Sequence, residues 1–334
     1  MSNPRVSVLL PCRNAAQTLD DALTSLACQT LEAAEIIAVD DGSVDATADL
    51  LADWIRRDTR INAVRTGPDG IISALQTAAA KARGELLARM DADDIAETAR
   101  LERQVAFLDA NDDIAACGTG VRYFPRTSVR GGARRYERWI NSVVSTSDIE
   151  RDLFVECPLP HPTLMMRRHA FEAVGGYRDA GWPEDYDLLL RLWESGFRLG
   201  KVPDILLHWR ERPDRLSRTH HRYAESAFRR CKVRYLAHRI AGKSVVVWGA
   251  GPVGKAFGRE LRAAGHELAA FVELDPRKIG QEIHGAPVIP PTAVHTYRDA
   301  YIVSAVGSAN ARAEVRLALH GVGFREPEEY CAVA

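Results

Sequence analysis

The chain has 334 residues, 46% hydrophobic and 27% charged, with 44 Lys and Arg against 45 Asp and Glu for a net charge of −1. This is the composition of a globular protein with room for two cores, and it excludes a disordered chain and any global attraction to nucleic acid. No apolar run approaches the ~18 residues that cross a bilayer. The six cysteines (12, 28, 117, 157, 231 and 331) form no CxxC pair and no leader precedes Arg5, so reduced thiols in a cytoplasmic protein are expected.

Residues 6–10 are continuously apolar, as in a buried strand, and are closed by Pro11 and followed by Arg13 and Asn14. Leu19, Ala22, Leu23 and Leu26 recur at helical spacing over residues 18–29. A second strand, 35–39, ends in Asp40-Asp41-Gly42-Ser43, and Asp45 is placed to cap a helix running through Leu51, Trp54 and Ile55. Residues 70–82 are Ala-rich and helical, 86–90 form a third strand, 100–108 a helix and 115–123 a further strand. Such alternation predicts an α/β fold with a mostly parallel sheet. Residues 126–138, with two adjacent glycines and five arginines, read as a mobile loop.

Further on, residues 207–239 carry nine Arg and one Lys against Glu211, Asp214 and Glu225. Ala224, Phe228, Cys231 and Tyr235 at helical spacing predict an amphipathic helix with its basic residues outward. Its charge suits a solvated linker, a phosphate contact or peripheral docking on an anionic membrane. A second start comes at residues 243–248, a buried-strand pattern leading into Gly249-Ala250-Gly251-Pro252-Val253-Gly254. A helix through Phe257 and Leu261 and a strand 268–272 then lead to Glu273. This is GxGxxG in its strand-turn-helix context with an acidic residue roughly twenty positions on. The remainder amounts to about half a dinucleotide fold, with Gly249, Gly251, Gly254 and Glu273 as candidate nucleotide contacts.

The most informative feature lies at the end of the third strand, in Asp91-Ala92-Asp93-Asp94. Like unit charges ~4 Å apart repel by roughly 4 kcal/mol near a protein surface, so carboxylates clustered at a strand tip suggest a divalent cation. Oxygen-only ligands favour Mg²⁺ or Mn²⁺ over zinc, and ligands of open α/β sheets bind beyond the carboxyl ends of the strands. A solvated acidic turn would leave the same pattern.

Six elements in order now carry a resemblance. They are Leu10-Pro11-Cys12-Arg13-Asn14, Ala38-Val39-Asp40-Asp41-Gly42-Ser43, Gly70 before the Ala-rich helix, Ala88-Arg89-Met90-Asp91-Ala92-Asp93-Asp94, His161-Pro162-Thr163 with Val174-Gly175-Gly176-Tyr177, and Pro183-Glu184-Asp185-Tyr186-Asp187-Leu188. Over about two thirds of the chain they resemble a family 2 glycosyltransferase. The resemblance implies a nucleotide-sugar-binding glycosyltransferase A-type fold with a mixed, mostly parallel sheet, here joined to a small C-terminal Rossmann-like α/β domain. The expected divisions are residues 1–222 for catalysis, 223–242 for the basic linker helix and 243–334 for the Rossmann-like module.

The resemblance also implies roles. Pro11, Arg13, Asn14, Asp41 and Gly70 would hold the nucleotide, with Asp91 near the ribose and His161 beside the donor or acceptor cleft. Asp91 and Asp93 would form the DxD pair that holds Mg²⁺ or Mn²⁺ against the donor diphosphate, and Asp94 would support the loop. Asp185 would be the general base and Glu184 its partner, the latter also suited to cap the helix, while Asp187 would be structural. The reaction would be an inverting, metal-dependent transfer from a nucleoside-diphosphate sugar to the hydroxyl of a glycan or lipid-linked acceptor. It would serve cell-surface polysaccharide or glycolipid assembly, in the cytoplasm or at the inner membrane surface. Residues 126–138 and the loops around Trp182 would choose the acceptor. Where the resembled pattern often has His-Pro-Gly, this chain has Arg212-Pro213-Asp214, which leaves that loop's metal or phosphate role open. The competing reading is an NAD- or nucleotide-sugar-binding oxidoreductase or binding module centred on residues 249–254.

Overall fold

The structure, a computed structural model, describes residues 4–31 and 34–334. Residues 1–3, part of the N-terminal stretch expected to lack a leader, lie outside the described residues. The chain divides into two compact units. The first takes most of the chain up to Thr219, and the second takes Ser147–Cys157, Gly181–Pro183 and His220–Ala334.

The first unit is built on eight strands: β1 (Val6–Cys12), β2 (Ala34–Asp41), β3 (Ile61–Thr66), β4 (Leu86–Arg89), β5 (Ile95–Ala96), β6 (Ile114–Phe124), β7 (Met165–Arg167) and β8 (Arg198–Arg210). They lie in the order β3-β2-β1-β4-β7-β6-β8-β5. Strands β3, β2, β1 and β4 are mutually parallel, and β7 runs antiparallel between β4 and β6. The sheet is therefore mixed and mostly parallel. All eight residues of β2 and all four of β4 are buried, as expected of central strands covered by helices on both faces. The edge strand β3 buries only Ile61 outright, which is why periodicity does not reveal it.

One expectation needs correction. Residues 126–138 are not a loop throughout, because Gly131–Ser142 is a helix. Its two glycines occupy only the first turn, where they cost little, and Tyr136, Trp139 and Ile140 pack at helical spacing on the core of the first unit. Glu137 locks the preceding segment by accepting from Arg126 at 2.7 Å and from the Tyr123 amide at 3.1 Å.

The second unit holds β9 (Val245–Trp248), β10 (Leu268–Val272), β11 (Glu282–Ile283), β12 (Ala286–Ile289), β13 (Tyr301–Ser304) and β14 (Tyr330–Ala332), in the order β11-β12-β10-β9-β13-β14. The five strands from β12 to β14 are parallel, so the chain winds both ways from β9. That is more than the half fold expected from sequence, since β12 and β14 are too short to leave a pattern. The basic helix Glu225–Ile240 belongs to this unit. Cys231 and Tyr235 are buried as the spacing predicts, but so is Lys232, whose Nζ donates to the carbonyls of Val155 and Val333 at 2.7 and 3.0 Å. No helix among the described residues is long and apolar enough to cross a membrane.

Candidate active site

Parallel strands β2, β1 and β4 end side by side, so their C-terminal tips form one rim. Asp41 closes β2, residues 11–14 continue from β1, and Asp91, Asp93 and Asp94 come after β4. Burial drives the Cys12 thiol pKa upward, and the charges of Asp40 and Asp91 add to it, which ties the three tips to one neighbourhood.

The β1 and β2 tips interlock. Asn14 takes a positive φ of 48°, a conformation Asn tolerates better than most residues. Its amide donates to Ser43 Oγ at 2.9 Å, while its own side-chain oxygen accepts from the Val44 amide at 3.0 Å. Gly42 has φ 65°, and a Cβ there would meet the Pro68 nitrogen at 2.8 Å, so no other residue suits this turn. The buried Asp41 carboxylate accepts from the amides of Asp69 and Gly70 at 2.8 and 3.0 Å and from Arg13 at 3.2 Å. Gly70, at φ 90°, faces open space where a Cβ would be. Pro11 completes the turn as the last residue but one of β1.

The acidic loop after β4 is held from several sides. Thr18 Oγ1 donates to the Ala92 carbonyl at 2.9 Å, the Arg210 amide to Asp94 Oδ1 at 2.7 Å, and Arg210 Nε to the Asp93 carbonyl at 2.6 Å. Carboxylate oxygens of Asp91, Asp93 and Asp94 lie within 4.8 Å of one another. Asp94 is fully buried, and burial and then the Asp91 charge raise its pKa well above the carboxylate range. The same causes raise Asp93, against the opposing charges of Arg212, Arg215 and Arg89. An all-oxygen donor set under mutual repulsion fits a hard divalent cation, and Asp91 and Asp93 are the two members still partly open to solvent.

Beneath the loop sits Arg89, a buried guanidinium whose Nη1 lies 2.5 Å from Asp91 Oδ2. Arg100, also buried, supports it by donating to the Arg89 carbonyl at 2.5 Å. The Arg89 charge acts on Asp91, Asp93, Asp185, His161 and Tyr177. Sequence reasoning places Arg89 in the motif and gives it no task. The available signal is an arginine inside the apolar run Leu86-Leu87-Ala88-Arg89-Met90, since an unpaired charge is rarely buried.

His161 enters from the segment before β7, which pairs antiparallel with β4 and so begins where β4 ends. Its Nε2 lies 2.9 Å from the Tyr177 hydroxyl and its Nδ1 3.8 Å from Glu184. Burial and the Arg89 charge hold its pKa well below the usual histidine value, so the ring is neutral at neutral pH. Glu184 and Asp185 open the helix Glu184–Glu194. Glu184 is buried rather than exposed as a surface cap. Asp185 accepts from the Tyr186 amide at 2.7 Å, and burial, reinforced by the Glu184 charge, raises its pKa to about 7. Asp187 pairs with Arg191 at 2.7 Å.

Thus the ten candidates in the first unit gather at one end of its sheet. Gly249, Gly251, Gly254 and Glu273 belong to the second unit, at the tips of β9 and β10. A Cβ on Gly254 would fall 1.7 Å from the Gly249 carbonyl oxygen, whereas Gly251 faces open space. Glu273 is engaged by Lys278 at 2.9 Å and by the Leu274 amide at 2.8 Å.

Comparison with known proteins is consistent with this site. Residues 7–175 match the family described as Glycosyl transferase family 2. The putative glycosyltransferase EpsE of Bacillus subtilis (strain 168) is 32% identical over 228 residues, 67% of this chain and 79% of EpsE. The amylovoran biosynthesis glycosyltransferase AmsE of Erwinia amylovora is 27% identical over 60% of this chain and 74% of AmsE. Among solved structures, S. aureus TarS 1–349 in complex with UDP-GlcNAc superposes with a TM-score of 0.56 at 18% identity, covering 70% of this chain and 66% of that one. The mannosyltransferase PcManGT from Pyrobaculum calidifontis, in complex with GDP-Man and Mn²⁺, does so with a TM-score of 0.51 at 22% identity, covering 79% and 70%. The chain thus spans about two thirds of the TarS chain's length, and these two likenesses speak for the fold.

Proposed function

The chain belongs to glycosyl transferase family 2, and on that premise we propose that it moves a sugar from a nucleoside-diphosphate sugar to an acceptor hydroxyl with inversion at the anomeric carbon. The observation that carries this reading is the grouping of Asp91, Asp93 and Asp185 around the buried guanidinium of Arg89.

Residues 11–14, Asp41 and Gly70 bind the nucleotide. The Asp41 carboxylate is already held by four hydrogen bonds, from Asp69, from Arg13 and a bifurcated one from Gly70, so it fixes the rim against which the nucleotide lies. Asp91 and Asp93 would hold Mg²⁺ or Mn²⁺, which when bound supplies charge neutralisation to the departing diphosphate. Asp185 takes the acceptor's proton as the acceptor oxygen bonds to the anomeric carbon and the bond from that carbon to the diphosphate breaks. A base with pKa about 7 is matched to that task at neutral pH. His161, neutral and bonded to Tyr177, orients the cleft without carrying charge. The UDP-GlcNAc bound by TarS and the GDP-Man bound by PcManGT support a nucleotide-sugar donor, and the amylovoran biosynthesis to which AmsE belongs supports a product in polysaccharide assembly. Catalysis is assigned to residues 1–222, with 223–242 as a basic helix that also suits peripheral membrane contact and 243–334 as a separate module.

Consumption of UDP- and GDP-sugars with and without Mn²⁺ tests the assignment. Activity that requires the ion and is lost in Asp93→Ala and Asp185→Asn supports it; wild-type turnover in both folded variants refutes it.

One observation favours a second role alongside the first. The close approach of Gly254 to Gly249 and the open face of Gly251 match the spacing that lets backbone reach a pyrophosphate. We therefore propose nucleotide binding, without hydride transfer, for the second unit. Saturable nucleotide binding that survives Asp93→Ala and is lost on replacing Gly251 by a bulky residue would support it.

A further inference from the structure

Two arginines pair directly with the acidic loop, and they differ in how freely they can leave. Arg89 pairs with Asp91 from below, its side chain only 3% exposed. Arg212 pairs with Asp93 from the segment after β8, its Nη2 3.0 Å from Asp93 Oδ2, and its side chain is 42% exposed. Its remaining contacts are loose: Asp214 lies 3.7 Å away, and Arg212 Nε is buried without a hydrogen-bond partner. By contrast Arg210, two residues earlier, is fixed by its bonds to the Asp93 carbonyl and Asp21 and by the Phe124 ring 4.5 Å from its guanidinium.

We propose that Arg212 is a displaceable counter-ion, which occupies Asp93 while the cation is absent and is released to the donor diphosphate when the cation arrives. The inference rests on the metal assignment to Asp91 and Asp93. A guanidinium keeps its proton throughout the working pH range, so it competes with the cation for an oxygen of Asp93 rather than sharing ligation. Once displaced, it stays within a side chain's length of the loop, and its planar fork matches phosphate oxygens. The exchange makes cation and nucleotide binding cooperative: the ion alone must expel Arg212, whereas ion and diphosphate together give it a new partner.

This predicts opposite effects of one substitution on two ligands. A half-exposed pair is worth about 0.2–1 kcal/mol, so Arg212→Ala should bind Mn²⁺ alone about 1.4- to 5-fold more tightly, read from the free Mn²⁺ signal in electron paramagnetic resonance. The same variant, saturated with Mn²⁺, should bind UDP or GDP about tenfold more weakly, as expected for loss of one charge-assisted contact. Arg56→Ala, which removes the same charge from a surface pair with Asp53, should change neither. Unaltered or weaker Mn²⁺ binding in Arg212→Ala overturns the proposal, as does equal tightening in Arg56→Ala, which would reduce the effect to net charge. If the wild-type protein binds no Mn²⁺, the metal assignment itself fails, an outcome distinct from these.

Discussion

The guanidinium of Arg89 lies 2.5 Å from the carboxylate of Asp91, sealed at the end of a fully buried four-residue strand. An arginine in that position is held there only by its partners, because removing one member of a buried pair leaves the other charge uncompensated. Arg89→Met should therefore lower unfolding free energy by about 1.5–3 kcal/mol in urea titration, the worth of a charge-assisted hydrogen bond, because the Asp91 left behind keeps 27% of its side chain exposed. Arg89→Lys, which keeps the charge but loses the fork, should lose less. Equal stability of Arg89→Met and the native protein would contradict the arrangement.

Asp185 sets the pH profile. A base must be ionised to act, and with a pKa of about 7 the limiting kcat/KM should fall about tenfold per pH unit on the acid side and level off above it. The Glu184 charge is part of what raises Asp185, so Glu184→Gln should move the midpoint to lower pH. Asp185→Asn should cost about 10²–10⁴ in kcat with an unchanged circular dichroism spectrum. A profile flat between pH 5 and 8 would remove Asp185 from the reaction.

Chelation should abolish turnover, and Mn²⁺ or Mg²⁺ should restore it in the native protein but not in Asp93→Ala. Asp94→Asn should behave differently. Its buried carboxyl has a pKa raised well above the usual range and accepts the Arg210 amide, a bond the amide oxygen of Asn can also accept. Mn²⁺ affinity in that variant should stay within about threefold of native, as for a near-isosteric exchange that preserves its hydrogen bond. A complete loss of Mn²⁺ binding would instead make Asp94 a ligand.

Tyr177 and His161 share a buried bond of 2.9 Å. Tyr177→Phe should cost about 1 kcal/mol of stability through the lost bond, and should leave the pH midpoint set by Asp185 near its native value. A shift of that midpoint by a full pH unit would mean that the hydroxyl acts on the base directly.

In the second unit, the second and third glycines of the fingerprint should respond differently to the same methyl group. Gly254→Ala puts a carbon 1.7 Å from the Gly249 carbonyl oxygen, an overlap that should cost at least about 1–3 kcal/mol. Gly251→Ala has open space and an extended backbone and should melt within a few degrees of native. Comparable melting temperatures for the two variants would argue against the close helix approach.

Much of this is legible because the sheet writes itself into sequence as apolar runs, each carrying one polar residue, Ser7, Glu35 or Arg89. Residues 6–10, 35–39 and 86–90 announce parallel strands, and the turns leaving their C-terminal ends must lie along one rim. Asp41, Asp91 and Asp93 are thereby placed together without knowledge of any contact. The edge strand Ile61–Thr66 escapes because a half-exposed strand leaves no continuous run. Residues 126–138 read as a loop, wrongly from Gly131 on, because adjacent glycines signal one unless tertiary contacts claim the residues after them.

The sequence alone determined the central strands with their acidic tips and a second strand-turn-helix start near residue 243, since these depend on local patterns of polarity. Only the tertiary structure decided which charges meet. Arg89 beneath Asp91, Arg212 on Asp93 and Glu184 beside Asp185 join residues from 1 to 119 positions apart. Their pairing arises from desolvation and distance, quantities that no linear pattern records.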